Sequence, residues 1–171
     1  LTKVKGYEVE WQTNLNWLPS PFDGIVLNAN YSHIWSKTRF PRSFVTQEKI
    51  DQFPFVKTSV VDTFRVGNMP DQADDIGNIS IGYEKGPISL RFSMLYQGKT
   101  LSDVGERPEL DGYTADLLRM DLSVKYRLTQ NIGIFLNYNN ITNEPDKSYQ
   151  RATRFLTSQE YYGWTVDAGI G

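Results

Sequence analysis

Several stretches of this chain alternate strictly between apolar and polar side chains, and no other feature limits the possible folds so strongly. The clearest case runs from Asp116 to Pro145, where two alternating arms flank a turn at 128–131. Successive side chains of a β-strand point to opposite faces, whereas those of a helix repeat about every 3.6 residues. The segment is therefore predicted to form an antiparallel hairpin with one apolar face. That face carries Leu118, Met120, Leu122, Val124, Tyr126, Ile132, Ile134, Leu136 and Tyr138.

The same pattern recurs along the chain and predicts an all-β fold with about seven strands and no convincing helix. The other strands are expected at 6–18, 25–36, 78–83, 88–97 and 162–170, with a shorter extended piece at 59–66. Short turns are expected at 19–24, 84–87 and 128–131, and long connections at 37–76, 99–115 and 143–159. We find no sign of a domain boundary within residues 1–171.

Composition narrows the possible functions. The charge is nearly balanced, with 18 Lys and Arg against 20 Asp and Glu, so nothing favours binding to nucleic acid. The chain has no cysteine, and its single histidine excludes a multi-histidine metal site within it. No apolar run approaches the roughly 20 residues of a membrane-spanning helix.

The sequence gives no argument for an enzyme, and we expect no catalytic residue, metal ligand or cofactor. Alternation places His33 on the apolar face and its nearest serine, Ser32, on the opposite face, whereas a catalytic histidine needs a nucleophile within reach. Asp71, Asp74 and Asp75 have the composition of a calcium cluster, but their spacing misses the EF-hand pattern. We therefore expect an interfacial imidazole and solvated loop acids.

Two short motifs match the glycosylation sequon, and both are attributed to chance. They begin at Asn78 and Asn140, in or beside predicted strands. A modified asparagine is expected in an exposed surface loop instead.

Three features favour lipid beside the apolar face. The alternating runs match the roughly 9–11 residues that cross a bilayer obliquely, whereas strands of soluble folds average about 5–6. Short turns alternate with long connections, as in outer-membrane barrels. Aromatic residues lie near the ends of the apolar runs, as in the two interfacial belts of a membrane protein. These residues are Tyr7, Trp17, Trp35, Tyr83, Tyr96, Tyr126, Tyr138 and Tyr162.

Three segments resemble the C-terminal barrel strands of TonB-dependent outer-membrane receptors. They are residues 6–32, 68–99 and 117–145, and the residues at 159–164 that lead into the last strand share the likeness. The resemblance is strongest at 139–145, NNITNEP, which is similar to the penultimate strand and loop of that family.

This resemblance implies an antiparallel, up-and-down transmembrane β-barrel of about 22 strands around an N-terminal plug. The chain would supply about seven C-terminal strands, and we expect it to be a fragment, because isolated strands leave two open edges in lipid. Such receptors import siderophores, haem, cobalamin or glycans across the outer membrane of Gram-negative bacteria. The implied partners are membrane lipid, the remaining barrel strands and plug, and TonB through the missing N-terminal region.

In that arrangement the three long connections face outward and contribute to ligand entry. The connections contain residue types suited to an anionic or aromatic ligand, although none is assigned as a site and the ligand stays unknown. These residues are Phe40, Arg42, Phe44, Arg151 and Arg154.

Two alternatives remain open from the residues alone. A soluble β-sandwich adhesin or carbohydrate-binding module alternates equally well, because one face of each sheet meets a core. A small complete outer-membrane barrel also fits, and it requires the first and last strands to pair.

Overall fold

The computed structural model describes residues 1–54, 56–152 and 156–170, and its regular structure is almost entirely β. The described residues contain no α-helix, only short 3-10 turns at Phe22–Gly24 and Pro108–Leu110. No helix within these ranges has the length and apolar character needed to cross a membrane. The predicted all-β, antiparallel class is confirmed.

The described residues contain twelve strands, numbered in chain order. They are β1 Lys3–Asn14, β2 Ile25–Lys49, β3 Val56–Gly67, β4 Asp75–Lys85, β5 Ile88–Gln97, β6 Thr100–Asp103, β7 Gly112–Thr114, β8 Leu117–Arg127, β9 Gly133–Asn139, β10 Asp146–Gln150, β11 Leu156–Glu160 and β12 Thr165–Ile170. Seven of them form one path in the order β1-β2-β4-β5-β8-β9-β12, and β3 pairs with β2 beside this path.

These eight strands form the main sheet, and their order leaves the sheet open. Within the described residues, β1 and β12 stand at opposite ends of the order and do not pair with each other. The pairing that a small complete barrel requires is therefore absent from this part of the chain.

The chain divides into two compact units. One consists of Leu1–Lys5 and Trp35–Met69, and the other of Gly6–Ile34 and the chain from Pro70 onward. Strand β2 contributes residues to both units.

The first unit contains a long hairpin in which the second half of β2 pairs with β3. The register runs from Thr38 opposite Gly67 to Lys49 opposite Val56. Adjacent apolar residues such as Val60 and Val61 point to opposite faces and are both exposed. The binary pattern is therefore lost, which is why most of this hairpin was wrongly predicted as a loop. The predicted extended piece at 59–66 is confirmed within β3.

Phe40, Arg42 and Phe44 are strand residues of this hairpin, so their prediction as loop residues is wrong. Two cation–π contacts link its strands. The guanidinium of Arg39 lies 4.5 Å from the centre of the Phe64 ring, and that of Arg65 lies 5.8 Å from the centre of the Phe40 ring.

In the second unit the strand register aligns the apolar positions of neighbouring strands. Because side chains alternate with period two, this register places every apolar set on the same face. The central row runs through Leu27, Ile81, Phe92, Leu122, Tyr138 and Val166. The two-faced hairpin of β8 and β9, with its turn after Arg127, is confirmed.

The predicted strand ends shift by a few residues at the turns. β1 ends at Asn14, and Leu15 then donates its backbone N–H to the Ile25 carbonyl at 2.8 Å across the turn. β12 begins at Thr165, three residues later than expected.

Short strands in two of the predicted long connections form a second, four-stranded sheet. Its order is β11-β10-β7-β6, with antiparallel pairing throughout. The prediction of long loops at 99–115 and 143–159 is wrong over these strands. Runs of three to five residues are too short to display a period of two.

The turn between β4 and β5 depends on glycine, since Gly86 has a φ of 61° with open space where a Cβ would lie. We expect Gly86→Ala to lower the free energy of unfolding by about 1 kcal/mol, because an L side chain is strained in this region. Gly82→Ala is the matched control, since its added Cβ meets atoms only at ordinary distances of 3.5 Å or more. Urea unfolding in detergent micelles measures both. Equal losses of unfolding free energy for the two variants would contradict the role assigned to Gly86 in this turn.

Candidate membrane-facing surface

The apolar face of the second unit is open rather than covered by protein. Large side chains from all seven strands of the path are exposed on this face. They include Trp11, Ile81, Phe92, Leu136 and Val166. The only buried hydrophobic residues in the described part of the chain are Ala73 and Leu101, and no large side chain there is fully buried. The apolar face therefore lacks the core that a soluble sheet packs against.

Aromatic residues lie toward both ends of several apolar runs. Tyr31 and Tyr96 each face Gly77 across one end row, at the side of the longer connections. Tyr83 and Tyr126 lie on rows near the short β4–β5 turn. Tyr138 departs from this arrangement, because it pairs with Leu122 in the middle of β8. Its ring packs edge-on against Trp164, with 5.6 Å between ring centres.

The opposite face of the same unit is polar and linked across strands by side-chain hydrogen bonds. The bonds, donor first, are Asn28 Nδ2 to Ser80 Oγ at 3.3 Å, Asn78 Nδ2 to Asn30 Oδ1 at 2.8 Å, and Ser123 Oγ to Asn137 Oδ1 at 2.7 Å. Satisfied polar pairs of this kind suit a face that meets water or other polar groups.

His33 belongs to a polar–aromatic cluster at the end of the apolar face. Its Nδ1 lies 2.6 Å from Asp75 Oδ1, and that oxygen also accepts a 2.5 Å hydrogen bond from Tyr31 Oη. The Tyr7 ring lies 5.9 Å from the imidazole and 6.1 Å from the Tyr31 ring, measured between centres. Ser32, its neighbour on β2, points to the other face. Rings with an apolar body and a polar tip suit a membrane interface.

The three aspartates of the possible calcium cluster form no metal-binding group among the described residues. They are Asp71, Asp74 and Asp75. The Asp71 backbone N–H donates to the Leu101 carbonyl at 2.9 Å, and the backbone carbonyl of Asp74 accepts the backbone N–H of Ile34 at 2.8 Å. Asp75 is occupied by His33 and Tyr31 instead of joining the other two carboxylates.

Asn140 connects three parts of the chain. It has a φ of 52°, a region that asparagine tolerates better than most residues. Its Oδ1 accepts the Glu144 backbone N–H at 3.0 Å, and its Nδ2 donates to the Glu144 and Gly163 carbonyls at 3.3 and 3.1 Å. Its own N–H donates to Asp121 Oδ1 at 2.8 Å. This buried residue orients the chain between β9 and β12.

In both glycosylation sequons the side-chain amide of the asparagine is already hydrogen-bonded within the protein. The amide nitrogen of Asn140 is occupied by two carbonyls, and that of Asn78 donates to Asn30 on the polar face. Both side chains therefore serve internal hydrogen bonds.

The second sheet brings together residues that the sequence had not connected. Tyr113 and Tyr149 are directly opposite each other and stack with 5.6 Å between ring centres. Lys99 and Arg151 line the cleft beside them. Of these four only Arg151 was singled out by residue type, because no periodic pattern marks such short strands. Arg154 lies outside the described residues.

Beyond β11, Tyr162 Oη donates to Glu160 Oε2 at 2.9 Å. This hydrogen bond and the nearby Glu160 charge raise the pKa of Tyr162 above its ordinary value. Both effects favour the neutral phenol.

Comparisons with protein-family models, with curated proteins and with solved structures gave no match for this chain.

The Asn140 contacts predict a graded mutational series. We expect Asn140→Ala to lower the free energy of unfolding by about 3 kcal/mol, through three lost side-chain bonds and a strained φ. Asn140→Gly restores the backbone freedom alone and should recover about 1 kcal/mol.

Asn139→Ala is the control, because this exposed side chain donates one 3.2 Å bond to Thr165. We expect its effect to stay within about 0.5 kcal/mol. Thermal or urea unfolding in detergent micelles ranks the three variants. A loss for Asn139→Ala as large as that for Asn140→Ala would contradict the assigned role.

Neighbouring residues of β4 test the two faces. We expect Ile81→Arg, in the central apolar row, to destabilise the vesicle-inserted protein by about 2–4 kcal/mol, because the charge enters hydrocarbon. Ser80→Arg adds the same charge to the polar face, and we expect a loss below about 1 kcal/mol. Guanidinium unfolding from phospholipid vesicles measures both. If the two variants are equally stable, the apolar face does not meet lipid.

Proposed function

We propose that this chain forms a stretch of the wall of an outer-membrane β-barrel receptor, together with outward-facing connections. The receptor would resemble TonB-dependent importers of scarce ligands such as siderophores, haem, cobalamin or glycans. Its location would be the outer membrane of a Gram-negative bacterium. We propose no catalytic role.

The observation that carries this proposal is the continuous exposed apolar face of an open antiparallel meander. Its rows of aliphatic and aromatic side chains cross strand after strand without protein covering them. Contiguous apolar patches of this extent mark a protein or membrane contact. Lipid explains why Tyr31, Tyr83, Tyr96 and Tyr126 lie toward the ends of their strands.

The structure favours a soluble β-sandwich less than a membrane barrel wall. It would bury the apolar faces of two sheets against each other. Buried hydrophobic residues in the described ranges are limited to Ala73 and Leu101, neither of which belongs to the apolar rows of the main sheet.

The open sheet edges point to the proposed protein partners. Strands β1 and β12 each have one paired neighbour in the described residues. Unpaired backbone groups are costly in hydrocarbon, so further strands of the same receptor are needed at both edges. The plug and the contact with TonB would belong to other parts of that receptor.

Tryptophan depth in lipid tests the proposal. Trp11 lies on the apolar face in a groove with Ala29, Ile79 and Met94, whereas Trp17 lies beyond the end of β1. Two single-tryptophan proteins retain one of these residues, with every other tryptophan replaced by phenylalanine. We expect bromines near the lipid tail ends to quench Trp11 more strongly, and bromines near the headgroups to quench Trp17 more strongly.

The two proteins act as controls for each other, since they differ only in the position of the fluorophore. Fluorescence is recorded after refolding into phosphatidylcholine vesicles. A monodisperse protein in detergent-free buffer, with neither tryptophan quenched by brominated lipid, would refute the membrane proposal.

A further inference from the structure

The second sheet carries a cleft that neither the strand pattern nor the proposed wall function explains. The cleft has a volume of about 670 Å³. It is lined by Lys99, Tyr113, Asp116, Tyr149, Arg151 and Leu156. Tyr113 and Tyr149 belong to strands β7 and β10 of this sheet. The pairing of these two strands fixes the positions of both tyrosines.

The two tyrosines line this cleft side by side. Their rings stack on each other at an interplanar angle of 18°, and the register continues the row to Leu101 on one side and Leu156 on the other. One face of each ring is therefore used within the sheet, and the phenol hydroxyls are left for other partners. Neither hydroxyl forms a hydrogen bond within the described part of the chain.

Two cations flank the phenols. Lys99 Nζ lies 5.9 Å from the centre of the Tyr113 ring, and the Arg151 backbone N–H is held by the Asp111 carbonyl at 2.9 Å. Neither Lys99 nor Arg151 forms an ion pair with another described residue. With the carboxylate of Asp116, the cleft carries two positive charges and one negative charge.

We propose that this cleft binds the oxyanion of a polyhydroxylated ligand, such as a phosphorylated or carboxylated sugar. Lys99 and Arg151 would neutralise the anion, and the Tyr113 and Tyr149 hydroxyls would donate to its remaining oxygens. Asp116 would accept hydrogen bonds from ligand hydroxyls. The inference deepens the proposed receptor function, because it assigns a ligand class to a sheet formed by the outward connections.

Binding of defined sugars tests the cleft. We expect the detergent-solubilised protein to bind glucose 6-phosphate and glucuronate in calorimetry, with affinity that falls as salt rises. Glucose, which lacks the anion, should bind at least about tenfold more weakly.

Substitutions locate the binding. Arg151→Gln and Lys99→Gln should each weaken glucose 6-phosphate binding about tenfold, and Tyr149→Phe, which keeps the ring, by about threefold. Arg127→Gln removes the same charge at the opposite end of β8 and is the matched control. Anionic-lipid vesicles form a second arm, because a headgroup would offer the same chemistry as a free sugar phosphate.

Saturable binding of the soluble anions that Arg151→Gln weakens and Arg127→Gln leaves unchanged would support the proposal. Absence of binding, equal loss in both arginine variants, or response only to vesicles would overturn it. Sugar binding is measured in micelles, independently of tryptophan quenching. A protein that inserts into lipid without binding anions would refute this inference alone, and the reverse result would refute the membrane proposal alone.

Discussion

The cross-strand register of the main sheet is the arrangement on which the other features depend. A shift of one residue between two strands would move every side chain of one strand to the opposite face. With the observed register, Ile81 meets Leu27 and Phe92, and all three lie on the apolar side. Gly86 permits the tight turn between β4 and β5. Asn140 orients the chain that leads to the last strand, β12. Local backbone conformation thus supports the separation of the two faces.

That separation explains how a chain so hydrophilic on average can carry a continuous apolar surface. Only alternate residues need to be apolar, and the intervening ones pair with each other, as Asn78 does with Asn30. Hydrogen bonds of this kind link side chains within the polar face, whereas the apolar face has no partner within the described residues. Lipid on that face, as we propose, would supply the burial that a soluble protein obtains from its core.

The connections carry most of the chemical variety. The His33–Asp75 pair lies at the end of the apolar face near one of them, and the tyrosine-lined cleft lies within the sheet formed by two others. Functional groups of β proteins commonly occupy such connections, because a rigid sheet positions them while their sequences remain free to vary. The proposed anion site therefore follows the usual division between scaffold and binding surface.

The alternating runs alone predicted β4, β5, β8 and β9 with their apolar and polar faces, because the direction of a side chain on a strand is a local property. The alternating pattern did not predict two kinds of strand. The β2–β3 hairpin exposes apolar residues on both faces, and β6, β7, β10 and β11 are too short to show a period. Contacts such as Asn140 with Gly163, or Tyr113 with Tyr149, join residues far apart in the chain. Only the tertiary structure decides them, because they depend on strand register and on the paths of the connections, which no local pattern encodes.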